Sequence, residues 1–326
     1  MSTSPWLTLI APDIGTALSR GTPSATLARL AGRGSVAQRW ERSDIQSPLR
    51  PWQRGLLNTL GIEAGSLASA ALSMSGHEGY WLHAEPVHFV AGLDRLSFLS
   101  LAGESKVTDA ERSALFEQLA PSFASGDHVL QAMGSEWFLR SSRALQVTTS
   151  TPDAAAASEL QTVMPRGQDA AELRRVMTEL QMLLHEHPVN DARARRGLPA
   201  VNAVWLWGGG SPGAIEAGDF PAAFGDHAFL RGLYRHVGRV ITALPENPEA
   251  LLHSIAGKPR AIVVVPGADL EAMDSGWLVP LSAALADGRL SRLDLILDEW
   301  HIDVRRGDLR RFWRRALPPS QWGQRI

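Results

Sequence analysis

Residues Leu184–Gly210 read LHEHPVNDARARRGLPAVNAVWLWGGG. The passage closes the clearest helix of the chain. Across Asp169–His187, residues Leu173, Val176, Met177, Leu180, Leu183, Leu184 and His187 recur at helical spacing. Pro188 ends that helix, because a proline pushes the residue before it out of the α region. Ala200–Trp207 then reads as a strand, and Gly208–Gly210 as the turn at its end.

The alternation continues outward in both directions. Trp6–Ala11 (WLTLIA) is an apolar run stopped by Pro12 and reads as a first buried strand. Thr22–Gly34 looks like a helix with a glycine stop, and Pro51–Leu60 and Glu63–Met74 look helical. Tyr80–Val90 and Leu93–Leu101 read as paired strands joined by Ala91-Gly92. Thr108–Phe123 is a helix in which Thr108 and Glu111 fit a capping box. Trp137–Arg140 is a short strand, and Ser150–Gly167, rich in Ala, Ser, Thr and Pro, is the best linker candidate. Beyond the opening passage, Ala228–Val237, Glu246–Ala256 and Gly276–Ala286 look helical, and Arg260–Val265 and Leu293–Leu297 are strands. Strands separated by helices predict an α/β fold with a mostly parallel sheet flanked by helices.

Composition narrows the function classes. The chain has 326 residues, a net charge of -2, 44% apolar and 20% charged residues, which is ordinary globular composition. It has no cysteine, so disulfides, thiolate metal sites and a cysteine nucleophile are excluded. No apolar run approaches the roughly 18 residues of a membrane span, and near-neutral charge argues against a nucleic-acid binder. The start, MSTSPWLTLIAPDIG, is not a signal peptide, so a cytoplasmic location is expected.

Each candidate site has two readings. Gly208, Gly209 and Gly210 could let a phosphate approach the backbone, but GGGSPG is neither a P-loop nor GxGxxG and also fits a plain strand-ending turn. Arg193, Arg195 and Arg196 could grip an anion or form a solvated basic turn. Asn190 and Asn202 could bind a ligand or tie loop backbone. His185 and His187 sit two apart, on different helix faces, and cannot share one metal; His187 reads as a hydrogen-bonded helix-end residue. His83 and Glu85 share one face of a strand and His88 lies on the other, with Pro86 marking an edge or a break. Arg305–Ile326 carries seven arginines against Asp308, with Leu309, Phe312, Trp313 and Ala316 as an apolar stripe. It reads as a terminal helix, docked by that stripe or presenting it to a partner.

HPVNDARARRGLPAVNAVWLWGGG resembles the HPxNxxRxxxGxxxAN segment and Gly-rich turn of archaeal-type cofactor-independent phosphoglycerate mutases, through His187, Pro188, Asn190, Arg193, Gly197, Asn202 and Gly208–Gly210. WLHAEPVHF, LDRL, EWFLR, ELQMLLHEHPVN, WLWGGG and FLRGL resemble the proteobacterial RpfE-type regulatory proteins, from about Tyr80 to Val265. The resemblance implies a degenerate alkaline-phosphatase-like core, residues 1–78 and 188–326, with an inserted α+β cap-like region at 79–187. Mutase chemistry needs a serine nucleophile and two divalent metals. The resemblance offers Ser43 for the first, and Asp13, Asp269, Asp298 and His301 for the second. The family's late metal motif, Pro-Asp-x-x-Gly-His, is incomplete here, because no Gly-His follows Asp269.

The expectation is therefore a non-catalytic mutase-like protein with a regulatory role and no cofactor. It would bind a small phosphorylated or anionic ligand, through Asn190, Arg193, Asn202 and Gly208–Gly210, or a protein partner. The alternatives are a divergent mutase or phosphatase using Mn, Mg or Zn, and a partner-binding module acting through the basic aromatic C-terminus.

Overall fold

The computed structural model describes residues 4–324 apart from 13, 20–23, 43, 45–46, 66, 92–95, 102–104, 217 and 268. Eleven strands are found among the described residues. They are β1 (Trp6–Ala11), β2 (Ser35–Arg39), β3 (Tyr80–Ala91), β4 (Leu96–Leu99), β5 (His128–Met133), β6 (Glu136–Ser141), β7 (Ala203–Trp207), β8 (Ala222–Phe224), β9 (Arg260–Val264), β10 (Arg292–Leu297) and β11 (Trp300–Arg305). The chain divides into two compact units. The first comprises Met1–Glu41, Pro51–Glu63 and Glu216–Ile326, and the second Arg42–Arg50 and Ala64–Ile215. The boundary expected at 187/188 falls inside the second unit.

The first unit is a six-stranded sheet of order β2-β11-β10-β1-β9-β8. Strands β10, β1, β9 and β8 run parallel, and β11 and β2 add antiparallel pairs at one side. The parallel strands read as near-continuous apolar runs, interrupted by the buried Thr8 and Asp294, because both faces are covered. Leu7, Leu9 and Ala11 of β1 enter one cluster with Leu27, Leu30, Leu281 and Leu285 from the helices Ala25–Arg33 and Val279–Asp287. On the other face, the helix Pro51–Thr59 comes so close that a Cβ on Gly55 would stand 2.9 Å from Ile296 and from Trp40. The expected α/β architecture, a parallel-centred sheet flanked by helices, is present.

The second unit is an antiparallel sheet of order β4-β3-β6-β5, with β7 pairing along β3. Helix Ala170–Leu184 presents Leu173, Val176, Met177, Leu180 and Leu184 to the core containing Trp205, Trp207 and Val204. The paired strands expected at Tyr80 and after Leu93 are β3 and β4, and the Thr108 capping box is formed. Their expected Ala91-Gly92 joint lies partly outside the described residues.

Pro86 marks a break, as expected: it falls in the gap between the stretch paired with β6 (Tyr80–His83) and that paired with β4 (His88–Ala91), where β7 is the one strand partner of β3 among the described residues, so its missing N–H interrupts neither ladder. Two expectations need correction. Ser150–Gly167 is packed rather than a free linker. It forms the short helices Pro152–Ala156 and Leu160–Val163, which bury Ala154, Ala155, Leu160 and Val163. Arg305–Ile326 is not a terminal α-helix. Its described part is the end of β11 and two 3-10 segments, Arg306–Arg310 and Pro319–Gln324. Pairing with β10 holds the chain extended as far as Arg305, and Pro318-Pro319 stops any helix from the other end. Phe312 and Trp313 are 79% and 68% exposed instead of docked. No helix among the described residues is long and apolar enough to cross a membrane.

Candidate functional site

The loop expected after Pro188 is a second helix, Pro188–Arg195. His187 caps it, with Nδ1 accepting from the Val189 amide at 3.1 Å, and Pro188 occupies the first position, where no N–H is needed. Asn190 accepts from the Val201 amide at 2.7 Å and donates to the Leu184 and Val201 carbonyls at 3.2 and 3.0 Å. Asn202 accepts from the Phe89 amide at 2.7 Å and donates to the Phe89 carbonyl at 2.9 Å, which extends the β3–β7 pairing through a side chain. Arg193 is fully buried. It donates to the Pro199 carbonyl at 2.7 Å, to Glu111 at 2.9 Å and to the Ser105 carbonyl at 2.6 Å. Asn190 and Arg193 thus tie the helix Pro188–Arg195 to the approach to β7, and Asn202 ties that approach to β3. Their polar atoms are committed to the protein's own backbone and to Glu111, so the grip on an anion expected of Arg193, Asn190 and Asn202 is not formed by them.

The glycine turn behaves differently. Gly208 has φ +70, donates to Thr149 Oγ1 at 3.1 Å and accepts from the Ala70 amide at 2.9 Å. Gly209 and Gly210, with Ser211, instead line a cleft of about 710 Å³ inside the second unit. Its other walls are Gly79 and Tyr80, the run from Ser142 to Thr148, and Gly167. Arg143 stands at this cleft with Nη2 shared between Asp169 Oδ1, at 2.9 Å, and Glu172. Burial, followed by the charge of Asp169, pushes the Tyr80 phenol up to about 12.

Beside the turn lies an arrangement the sequence did not announce. Ser69 Oγ is 2.8 Å from His83 Nε2, and His83 Nδ1 is 3.7 Å from Glu136. The order resembles a nucleophile–base–acid relay, but Ser69 is fully enclosed and His83 is stacked on Trp207 at 4.4 Å. No substrate carbon can reach that hydroxyl, so the chain of contacts is structural. No sequence pattern signals it, since the three residues lie on separate elements. Glu85, which the alternation puts on the face of His83, pairs with Arg50 there. His88, on the opposite face, contacts the Ala200 carbonyl at 2.9 Å through Nδ1.

In the first unit the parallel strands end side by side. Ala11 is level with Leu297, and Ile10 with Val264, so the segments after β1, β9 and β10 share one edge. Ligands of open α/β sheets bind outside such carboxyl ends. Asp13 and Ser43 lie outside the described residues. Asp269 starts the short helix Leu270–Met273 as its cap, with Oδ1 accepting from the amides of Glu271 and Ala272 at 2.9 and 3.0 Å. Counting from Asp269, the position of the family's motif histidine is Met273, which is buried in the hydrophobic core. Asp298 is buried in the two-residue turn between β10 and β11, with φ +55. His301 is stacked with Trp40, and its Nε2 lies 3.5 Å from Asp294 Oδ1. Among the described residues no group of three His, Asp or Glu side chains is arranged to hold a metal ion. The described part of the implied donor set therefore does not fit a two-metal centre.

No family model matches the chain. It is 33% identical over 129 residues to a curated 2,3-bisphosphoglycerate-independent phosphoglycerate mutase from Methanothrix thermoacetophila. That match covers 38% of this chain and 31% of the relative, so the likeness spans about a third of the length of each. A solved structure of the cofactor-independent phosphoglycerate mutase of Thermoplasma acidophilum aligns with a TM-score of 0.39 and 15% identity, over 92% of this chain and 89% of that one. A protein of Pyrococcus horikoshii aligns with a TM-score of 0.45 and 14% identity, over 98% and 92%. The chain is thus similar to phosphoglycerate mutases over part of its sequence.

Proposed function

We propose that this is a degenerate phosphoglycerate-mutase-like protein of alkaline-phosphatase type that acts as a cytoplasmic regulator of the RpfE kind. It binds a small phosphorylated or otherwise anionic ligand without turning it over, and passes that occupancy to a protein partner. The similarity to the Methanothrix mutase supports the family-level part. The observation that carries the loss of catalysis is the pair Asp269 and Met273. Asp269 Oδ1 is held by two backbone amides as a helix cap. Met273 puts a buried thioether where the motif needs an imidazole, and a thioether is a poor ligand for hard divalent ions. A two-metal centre acts as a clamp on attacking and leaving oxygens and needs its full donor set.

The test is metal analysis of the purified chain together with a coupled assay for phosphoglycerate mutase and phosphatase turnover, with Mn, Mg or Zn supplied. The expected result is no turnover and no stoichiometric pair of ions. Two ions per chain accompanied by turnover would replace this reading with the divergent metal-dependent enzyme built on Asp13, Ser43, Asp269, Asp298 and His301.

A further inference from the structure

The geometry points to an oxyanion-binding site in the cleft of the second unit, with Tyr80 Oη, the amides of Gly209 and Gly210 and the Arg143 guanidinium as its donors. This rests on the ligand-binding reading above and gives that ligand a place.

The cleft, about 710 Å³, is of the size that holds small molecules. Its donors are available. Among the described residues no hydrogen bond takes up the Tyr80 hydroxyl or the amides of Gly209 and Gly210, whereas the neighbouring Gly208 amide is taken by Thr149. Successive free amides in a turn with unusual backbone angles form an anion-binding concavity, and Gly210 has φ +150. Gly209 is required by contact: a Cβ there would stand 2.6 Å from Tyr80 Oη. The turn and the phenol therefore face the same small volume. The raised Tyr80 phenol stays protonated at neutral pH and so donates. Arg143 adds guanidinium donors, its charge shared with Asp169 and Glu172. Asp169 and Glu172 both engage Nη2 and hold the fork, while Nη1 has only a long contact of 3.4 Å to the Ala144 carbonyl. Such donors select an acceptor-rich head group, a phosphate or a carboxylate. Leu145 and Val147, which also line the cleft, favour a short apolar body attached to it. The grip expected of Arg193 and Asn202 thus passes to residues that are neighbours in space and not in sequence.

The experiment measures binding by titration calorimetry and amide chemical shifts, with phenyl phosphate and benzoate as phosphate- and carboxylate-headed probes and benzyl alcohol as a neutral control. The full chain is expected to bind at least one charged probe and not the alcohol, with shifts centred on Tyr80, Gly209 and Gly210. Tyr80→Phe removes one hydroxyl, leaves the melting temperature unchanged, and weakens binding roughly tenfold. Arg143→Gln weakens it further, because Asp169 and Glu172 are then left uncompensated at the cleft. Absence of binding by either charged probe overturns the assignment. Binding that survives both substitutions also overturns it, but leaves the anion-binding reading standing at another site. Failure of that reading shows separately, as two-metal turnover.

Discussion

Glu111 Oε2 and Arg193 Nη1 lie 2.9 Å apart, joining two helices 82 residues distant in the chain. The same Glu111 oxygen accepts from the Thr108 amide at 2.9 Å and so also closes the capping box of helix Asp109–Leu119. Arg196 approaches the other oxygen at 3.3 Å. The HPxNxxR-like segment is therefore anchored from inside. Its arginine is an internal tie between a helix start, a loop carbonyl and the strand approach at Pro199.

Arg193→Met should be strongly destabilising. It removes three hydrogen bonds, leaves the Pro199 and Ser105 carbonyls without their charged donor, and leaves Glu111 with the exposed Arg196 alone as its cationic partner among the described residues. Breaking a buried pair from one side costs about 3–5 kcal/mol. Urea denaturation measures this directly as a shift of midpoint at constant slope. A loss below about 1 kcal/mol would show that the guanidinium is not the tie described.

Acid should weaken the same junction. Partial burial pushes the Glu111 carboxyl up, but the Thr108 amide and the Arg193 charge outweigh it and hold the group below its ordinary value. A depressed carboxylate contributes stability that is complete above its unfolded value, about 4.3, and is lost as pH falls through the folded value. Glu111→Gln should therefore flatten the decline in stability below about pH 4 while lowering stability at pH 7. Denaturant midpoints across pH 2.5–7 for both proteins provide the check. Parallel curves would rule out this linkage.

Strong local patterns were legible in the sequence, and long-range commitments were not. The run WLTLIA, the six-residue apolar stripe of Ala170–Leu184 and the Thr108–Glu111 box each carry their structure in their own spacing. Strand AVWLW also announced itself, but not its partner: it lies antiparallel on β3, and nothing in five apolar residues distinguishes that from a place in the parallel sheet. Arg193 had two readings because a guanidinium that holds carbonyls and one that holds an anion are the same residue in a sequence. The Tyr80–Gly209 approach was invisible because it joins the start of β3 to the end of β7.

Phe312 and Trp313 offer a prediction of the opposite sign. They stack edge-on at 5.3 Å with their outer surfaces in water. Phe312→Ser combined with Trp313→Ser should leave the melting temperature within about 0.5 kcal/mol of the parent in equivalent stability. If these rings were docked by the apolar stripe, losing two aromatics would cost several times that amount. Calorimetric melting distinguishes the two.

The edge where β1, β9 and β10 end can be probed at Gly267. A Cβ there would stand 2.1 Å from the Pro12 carbonyl oxygen, a contact with backbone on both sides that no side-chain rotation relieves. Gly267 does not need a left-handed backbone, so the requirement for glycine is closeness alone. Gly267→Ala should push the segments after β1 and β9 apart at about 1–3 kcal/mol, the usual cost of overpacking. Gly276 supplies the control. It lies in the helical stretch Asp274–Leu278, and an added Cβ meets nothing within 4 Å. Gly276→Ala should be neutral or stabilising by up to about 1 kcal/mol, because alanine restricts the unfolded chain. Thermal melts of the two variants side by side give the answer. A neutral Gly267→Ala would mean that the chain after Asp298's neighbouring strands is more open than described, and the juxtaposition of those strand ends would have to be abandoned.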